Sequence, residues 1–269
     1  STGKLSVTGY QDYNDAQKIL KEVNKYRKKN GRKALKMDRG LTNSAIMRGF
    51  ETTIYIPETS PHRRPNGKLS KSINKKIIYE NCAQSAETTP KQIVKGWINS
   101  STHRKGLLLS NAKSVGVAAV TVVSRDGYEA NTWVLDFSSS KAKKVEKSKA
   151  RKQFTKNIVT KNSYLKKSYL KLDSRYGTIW ETEKMQMKPT YQGKMMKEYG
   201  VYPTVINTSS FTSWKSSNPS VASVDSNGRI TGNKAGTVTI SAKLKTGTKI
   251  TISKKIKVVP TNQQIDPWE

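Results

Sequence analysis

The 269-residue chain has one cysteine, two histidines and few acids. A single cysteine excludes any intramolecular disulfide, so Cys82 reads as a small buried apolar residue or a reactive thiol, and cysteine usage does not select a compartment. With histidine confined to His62 and His103, imidazole chemistry has only two places to occur. No apolar run approaches the ~20 residues of a membrane-spanning helix. The Gly-x-Ser-x-Gly nucleophile elbow, the glycine-rich phosphate loop and the His-Glu-x-x-His zinc-protease helix are all missing, so no catalytic residue is assigned.

What the chain has in excess is positive charge. Fifty Lys plus Arg stand against 19 Asp plus Glu, a formal charge of +31, beyond the magnitude of about 2 to 8 that suffices for the solubility of a small domain. Residues 141–171 are the densest part, with 12 basic residues and one acid. Counterion release makes such a surface a partner for anionic cell-wall polymers or an anionic membrane surface. Nucleic acid is the runner-up, with Phe154, Tyr164 and Tyr169 as stacking groups, but neither half carries a nucleic-acid module.

Hydrophobic spacing divides the chain in two. Ala16, Ile19, Leu20, Val23 and Tyr26 recur at helical spacing behind Asn14-Asp15; Leu41, Ala45, Ile46 and Phe50 do so after Asp38; and Thr89-Pro90 opens a third helix through Ile93, Val94 and Trp97. Ser114–Val123 and Glu129–Phe137 alternate about Asp126-Gly127 as a β-hairpin. Helices first and strands last predict a layered α+β domain. The charged stretch Lys141–Lys152 is open to two readings, a solvated linker or a helix. Beyond it, turn signals at Asn218-Pro219, Asn227-Gly228, Ala235-Gly236 and Thr246-Gly247 separate short alternating segments such as Val238, Ile240 and Ala242, the rhythm of an all-β sandwich.

Four motifs in order carry a more specific signal: His62 ahead of Pro65-Asn66-Gly67, then Glu80-Asn81-Cys82-Ala83, then Trp97-Ile98-Asn99-Ser100 ahead of His103-Arg104, then Val115-Gly116-Val117-Ala118. Together, over roughly residues 12 to 138, they resemble a bacterial member of the CAP superfamily, which includes cysteine-rich secretory proteins, antigen 5 and plant pathogenesis-related proteins. In the second half, Ser213-Trp214 through Asn218-Pro219-Ser220-Val221-Ala222, then Asn227-Gly228-Arg229-Ile230-Thr231-Gly232 and Ala235-Gly236-Thr237, is similar to the group 2 bacterial immunoglobulin-like domain. The expected organisation is a CAP domain at 10–140, a basic connector at 141–164, an immunoglobulin-like domain at 165–260 and a tail at 261–269.

The resemblance implies an α-β-α sandwich followed by an all-β immunoglobulin-like sandwich, in a secreted or cell-surface bacterial protein. It implies a cleft into which His62, Glu80 and His103 project with Asn81 in support. His62 and His103, with Glu80 nearby, are the candidate ligands for Zn2+ or another divalent cation. Binding of a metal, a lipid or a wall component is the favoured function, with the immunoglobulin-like domain as spacer or adhesive module; metal-assisted hydrolysis of wall or peptide substrates is the alternative. Phe50, Ile54, Tyr55 and Ile56 are the residues that would line a lipid groove. This chain departs from the family pattern at Tyr79, where Gly is common, and it lacks a second acid before His103. Cys82 stands where the family is usually aliphatic and reads as core. No Leu-Pro-x-Thr-Gly motif appears near the end, so attachment to the wall is expected to be noncovalent.

Overall fold

A computed structural model describes residues 1–54 and 62–266, arranged in two units. The first comprises Thr8–Val123 and Glu129–Lys156; the second comprises Ser1–Val7, Ser124–Tyr128 and the chain from Asn157 on.

The first unit is a sheet with helices on both faces. Its elements are β1 (Thr2–Asp12, which enters the unit at Thr8), α1 (Tyr13–Lys29), β2 (Lys36–Met37), α2 (Arg39–Glu51), β3 (Ile77–Ser85), α3 (Pro90–Asn99), α4 (Ser101–Leu107), β4 (Ser114–Val123), β5 (Glu129–Ser138) and β6 (Arg151–Lys161, which leaves it after Lys156). The sheet order is β3-β5-β4-β1-β6, with β2 added parallel to β4. Because β4 and β5 are central, both their faces are buried, and the period of two sorts them. Val115, Val117 and Ala119 with Trp133, Leu135 and Phe137 join Ile19 and Val23 of α1 and Val94 and Trp97 of α3 in one core. The alternate residues face α2, where Thr132 donates to the Gly49 carbonyl at 2.8 Å. Gly116 lies on that side because a Cβ there would come within 2.2 Å of the Leu41 carbonyl.

Local chemistry sets the helix starts. Asp12 accepts from the Asp15 amide and Asp38 from the Leu41 amide, and Thr89 forms a reciprocal capping box with Gln92 ahead of Pro90. The stretch after β5 is neither a free linker nor a helix. Lys143 and Lys144 donate their amides to the Asp38 carboxylate, Gln17 donates to the carbonyls of Glu146 and Ser148, and Arg151 onward forms β6 beside β1. An edge strand needs few apolar residues, which is why so charged a sequence extends as one.

The second unit is all-β apart from short helical turns. Its strands are β7 (Leu170–Asp173), β8 (Thr178–Trp180), β9 (Lys184–Gln186), β10 (Lys188–Tyr191), β11 (Thr204–Val205), β12 (Phe211–Ser216), β13 (Ala222–Val224), β14 (Arg229–Gly232), β15 (Gly236–Leu244) and β16 (Thr251–Val259), with α5 (Lys194–Glu198) between β10 and β11. They form the sheets β12-β15-β16-β8, β13-β14-β9 and β11-β10-β7. The long β15–β16 ladder turns Val238, Ile240 and Ala242 inward with Ile252, Ile256 and Val258. Asp225 accepts the amides of Asn227 and Arg229, closing the turn in which Gly228 sits at φ +72°.

Candidate functional site

The site is built where Arg48 of α2, a helix packed over β4 and β5, reaches across to the edge strand β3. On an otherwise apolar helix face, Arg48 and Glu51, three residues apart, are both turned inward and fully buried. The Arg48 guanidinium grips both oxygens of Glu80, Nε to Oε2 and Nη2 to Oε1 at 3.0 Å each, while Nη1 donates to Glu51 Oε2 at 2.7 Å. The other Glu51 oxygen accepts from Arg64, 2.8 Å from its Nε and 2.7 Å from its Nη2. On the far side of Glu80, Oε1 accepts from His62 Nδ1 at 3.1 Å and from the Cys82 thiol at 3.2 Å. The result is a chain of alternating charge, Arg64, Glu51, Arg48, Glu80, ending on an imidazole.

Electrostatics fix the protonation states. Burial pushes the Glu80 carboxyl up, but the hydrogen bond from His62 and the hydrogen bonds and charge of Arg48 outweigh it and hold it down at about 2. For Arg48 burial opposes the charge, and Glu80 more than restores it, so its pKa is raised. Asp136, opposite Glu80 in the β3–β5 ladder, is fully buried and its two oxygens accept no hydrogen bond. Burial first, then the Glu80 charge, push Asp136 well above the usual carboxylate range, which favours its protonated form beside the anionic Glu80. Burial, then the Glu80 charge, also raises the Cys82 thiol well above its ordinary value, so it is no nucleophile.

The side chains of β3 sort by period. Glu80 and Cys82 face α2, whereas Tyr79 and Ala83 join the opposite core. Asn81, fully buried, donates to the His103 carbonyl at 3.0 Å, and Tyr79 donates its hydroxyl to the Thr102 carbonyl at 2.7 Å. His103 lies on α4 with Nδ1 at 2.9 Å from the Ser100 hydroxyl, so Ser100 serves the histidine instead of capping the helix amides. Burial, and then the charge of His62, lower the His103 pKa, which favours the neutral imidazole.

A cavity of about 270 Å³ opens beside this network, lined by His62, Glu80 and Tyr79 with Leu69, Ile77 and Ile78 among its apolar walls. Among the described residues, the donor atoms of His62, Glu80 and Cys82 all lie within 4.8 Å of one another, and His103 is not in that group. Of the lipid-groove residues, Phe50 and Ile54 are buried in the core, while Tyr55 and Ile56 lie outside the described residues. No helix among the described residues is long and apolar enough to cross a membrane.

Sequence reasoning named His62, Glu80, Asn81 and His103, of which the structure brings His62 and Glu80 into direct contact and leaves His103 outside the cavity lining, and it did not name Arg48, Glu51, Arg64 or Asp136. The available signal was charge out of place: Arg48 and Glu51 beside Phe50 on the apolar face of α2, and Asp136 within Trp133-Val134-Leu135-Asp136-Phe137.

Residues 20–137 match the profile of the cysteine-rich secretory protein family, CAP, and residues 192–257 that of the group 2 bacterial Ig-like domain. The uncharacterized protein YkwD of Bacillus subtilis is 33% identical over 119 residues, covering 43% of this chain and 44% of that protein, so the match spans less than half of the relative's length. An extracellular protein containing a SCP domain from Bacillus anthracis aligns at 21% identity with a TM-score of 0.33, covering 46% of this chain and 41% of that one. An outer surface protein of Borrelia burgdorferi aligns at 17% identity with a TM-score of 0.34, covering 46% of this chain and 92% of that one.

Proposed function

We propose that this chain, whose residues 20–137 are a CAP domain and whose residues 192–257 are a group 2 bacterial Ig-like domain, is an extracellular binding protein of the bacterial surface whose cleft takes a divalent transition cation on His62 and His103. The pairing of these two domain types supports the location, with the Ig-like domain as spacer or adhesive module.

The observation that carries the cation reading is the His62–Glu80 bond. An ionised carboxylate only accepts, so Nδ1 of His62 is the donor, which leaves Nε2 as the ring nitrogen able to offer a lone pair. Carboxylate–imidazole pairs of this kind orient metal ligands and raise their basicity. His103 is the second imidazole, held through Nδ1 by Ser100 and kept neutral by burial. Neither Nε2 makes a hydrogen bond among the described residues. The donor set fits zinc, for which two imidazoles leave positions open to water or to a further ligand. Glu80, already accepting from Arg48, His62 and Cys82, orients the site rather than ligating in it. Bound there, the cation would supply Lewis acidity and an anchoring point for an anionic ligand group.

Calorimetric titration of the full chain with Zn2+ near pH 7 tests this. One saturable site is expected, lost in the His62→Ala/His103→Ala double variant and weakened about 10- to 100-fold in Glu80→Gln. Absence of saturable binding, or binding unchanged in the double variant, would refute it.

A further inference from the structure

A second concave surface of the first unit, separate from the cleft, has the opposite character. It is a groove of about 670 Å³ between the loop after α1, the loop before β4 and the segment that follows β5. Five cationic residues line it, Arg32, Lys33, Lys36, Lys113 and Lys141, and its lining includes neither a carboxylate nor an aromatic ring. All five are exposed. The remaining wall is small or aliphatic, with Ala34, Ala112, Ala142 and the exposed Val145.

We propose that this groove binds a phosphodiester polymer without bases, of the poly(glycerol phosphate) kind. Carbonyls of the adjoining segments are held by cations: Arg27 donates to the carbonyls of Lys33, Leu107 and Leu109, and Arg32 to that of Leu108. Arg27 is itself fully buried with no carboxylate partner among the described residues, so its charge adds to that of the neighbouring Lys33, whose carbonyl it holds. Of the nearby acids, Glu146 pairs with Arg39 at 3.0 Å, and Asp38 is turned onto the amides of Leu41, Lys143 and Lys144.

The shape of the lining chooses among polyanions. Recognition of single-stranded nucleic acid relies on aromatic platforms for the bases, and the groove has none. Lysines are flexible point charges that follow a phosphate chain without demanding planar geometry, and the alanine and valine wall suits the short aliphatic units between phosphates. This assignment stands apart from the cation reading of the cleft, since it shares no residue with it.

The test measures binding of a short poly(glycerol phosphate) chain to the full-length protein across a range of salt. Lys33→Gln/Lys36→Gln/Lys113→Gln is compared with Lys243→Gln/Lys245→Gln/Lys255→Gln, which removes the same charge from exposed lysines of the second unit. The groove variant is expected to lose at least tenfold in affinity near 0.15 M salt, and its log–log salt slope is expected to shrink by about 2, at roughly 0.7 for each phosphate that is no longer neutralised. The matched variant should lose less than about threefold. Equal losses in the two variants, or no binding by the native protein, would overturn the proposal. So would tighter groove-dependent binding of oligothymidylate of equal charge, or of anionic lipid vesicles, since either would name a different occupant.

Discussion

Replacing Asp136 by Asn should make the protein less sensitive to alkaline pH, and the size of the effect follows from the position of one proton. Asp136 is fully buried opposite Glu80, and its folded-state pKa lies well above the usual range, raised first by burial and then by the Glu80 charge. An acid whose pKa is raised on folding contributes stability below its unfolded pKa and loses it as pH rises toward the folded one. Above the unfolded carboxyl range, for as long as the folded protein keeps the proton that the unfolded chain has released, the wild type should lose up to about 1.4 kcal/mol per pH unit on this account. Asn has nearly the same shape and cannot ionise. Glu80 itself does not disturb the window: its pKa is depressed to about 2, so its contribution is present above the unfolded carboxyl range and lost only as pH falls below it. The assay is urea unfolding of both proteins at pH 5, 6 and 7, followed by tryptophan fluorescence. The difference in stability should grow steadily in favour of Asp136→Asn. Parallel curves would mean that Asp136 is ionised in the folded protein and that the protonation assigned to the network is wrong.

Two further outcomes test neighbouring groups. Arg48→Ala leaves Glu51 and Glu80 buried without their shared cation and should cost about 3–5 kcal/mol in urea unfolding; a loss under about 1 kcal/mol would refute the view that Arg48 compensates both carboxylates. The raised pKa of Cys82 predicts alkylation by iodoacetamide at pH 8 at least tenfold slower in the native protein than in urea, and equal rates would contradict it.

The parts of the fold that were legible are those whose burial is periodic. The apolar positions of α1 and α3 and the alternation of β4 and β5 all name the same core. β1 was not legible because its inward series, Leu5, Val7, Gly9, Gln11, stops being apolar halfway. Gln11 is nevertheless fully buried, since its side-chain amide continues the ladder, donating to the Val117 carbonyl and accepting from the Ala119 amide. β6 was hidden by its lysines, two of which, Lys152 and Lys156, lie over Phe154 at 5.2 and 5.0 Å from the ring centroid. In the site, the histidines and Glu80 stood out through motif order. Arg48, Glu51 and Asp136 carried a weaker local mark, charge within an apolar pattern, and their roles depend on Glu80 and Arg64, which are distant in sequence from at least one partner.

The buried charges also constrain what the cleft can do. A buried ion network is weak evidence for stability, because well-packed apolar residues of similar volume often do as well. What such residues could not do is keep Glu80 ionised under a wall of apolar side chains. With Arg48 bidentate on it and His62 bonded to Oε1, Glu80 stays an anion far below neutral pH, so it is unsuited to giving up a proton as a general acid. Its remaining influence passes through Oε1 to His62 Nδ1, selecting one tautomer and one ring orientation at the wall of the cavity. The machinery of four charged side chains on α2, β3 and the loop before it thus converges on a single exposed nitrogen, His62 Nε2, whose office is to donate a lone pair.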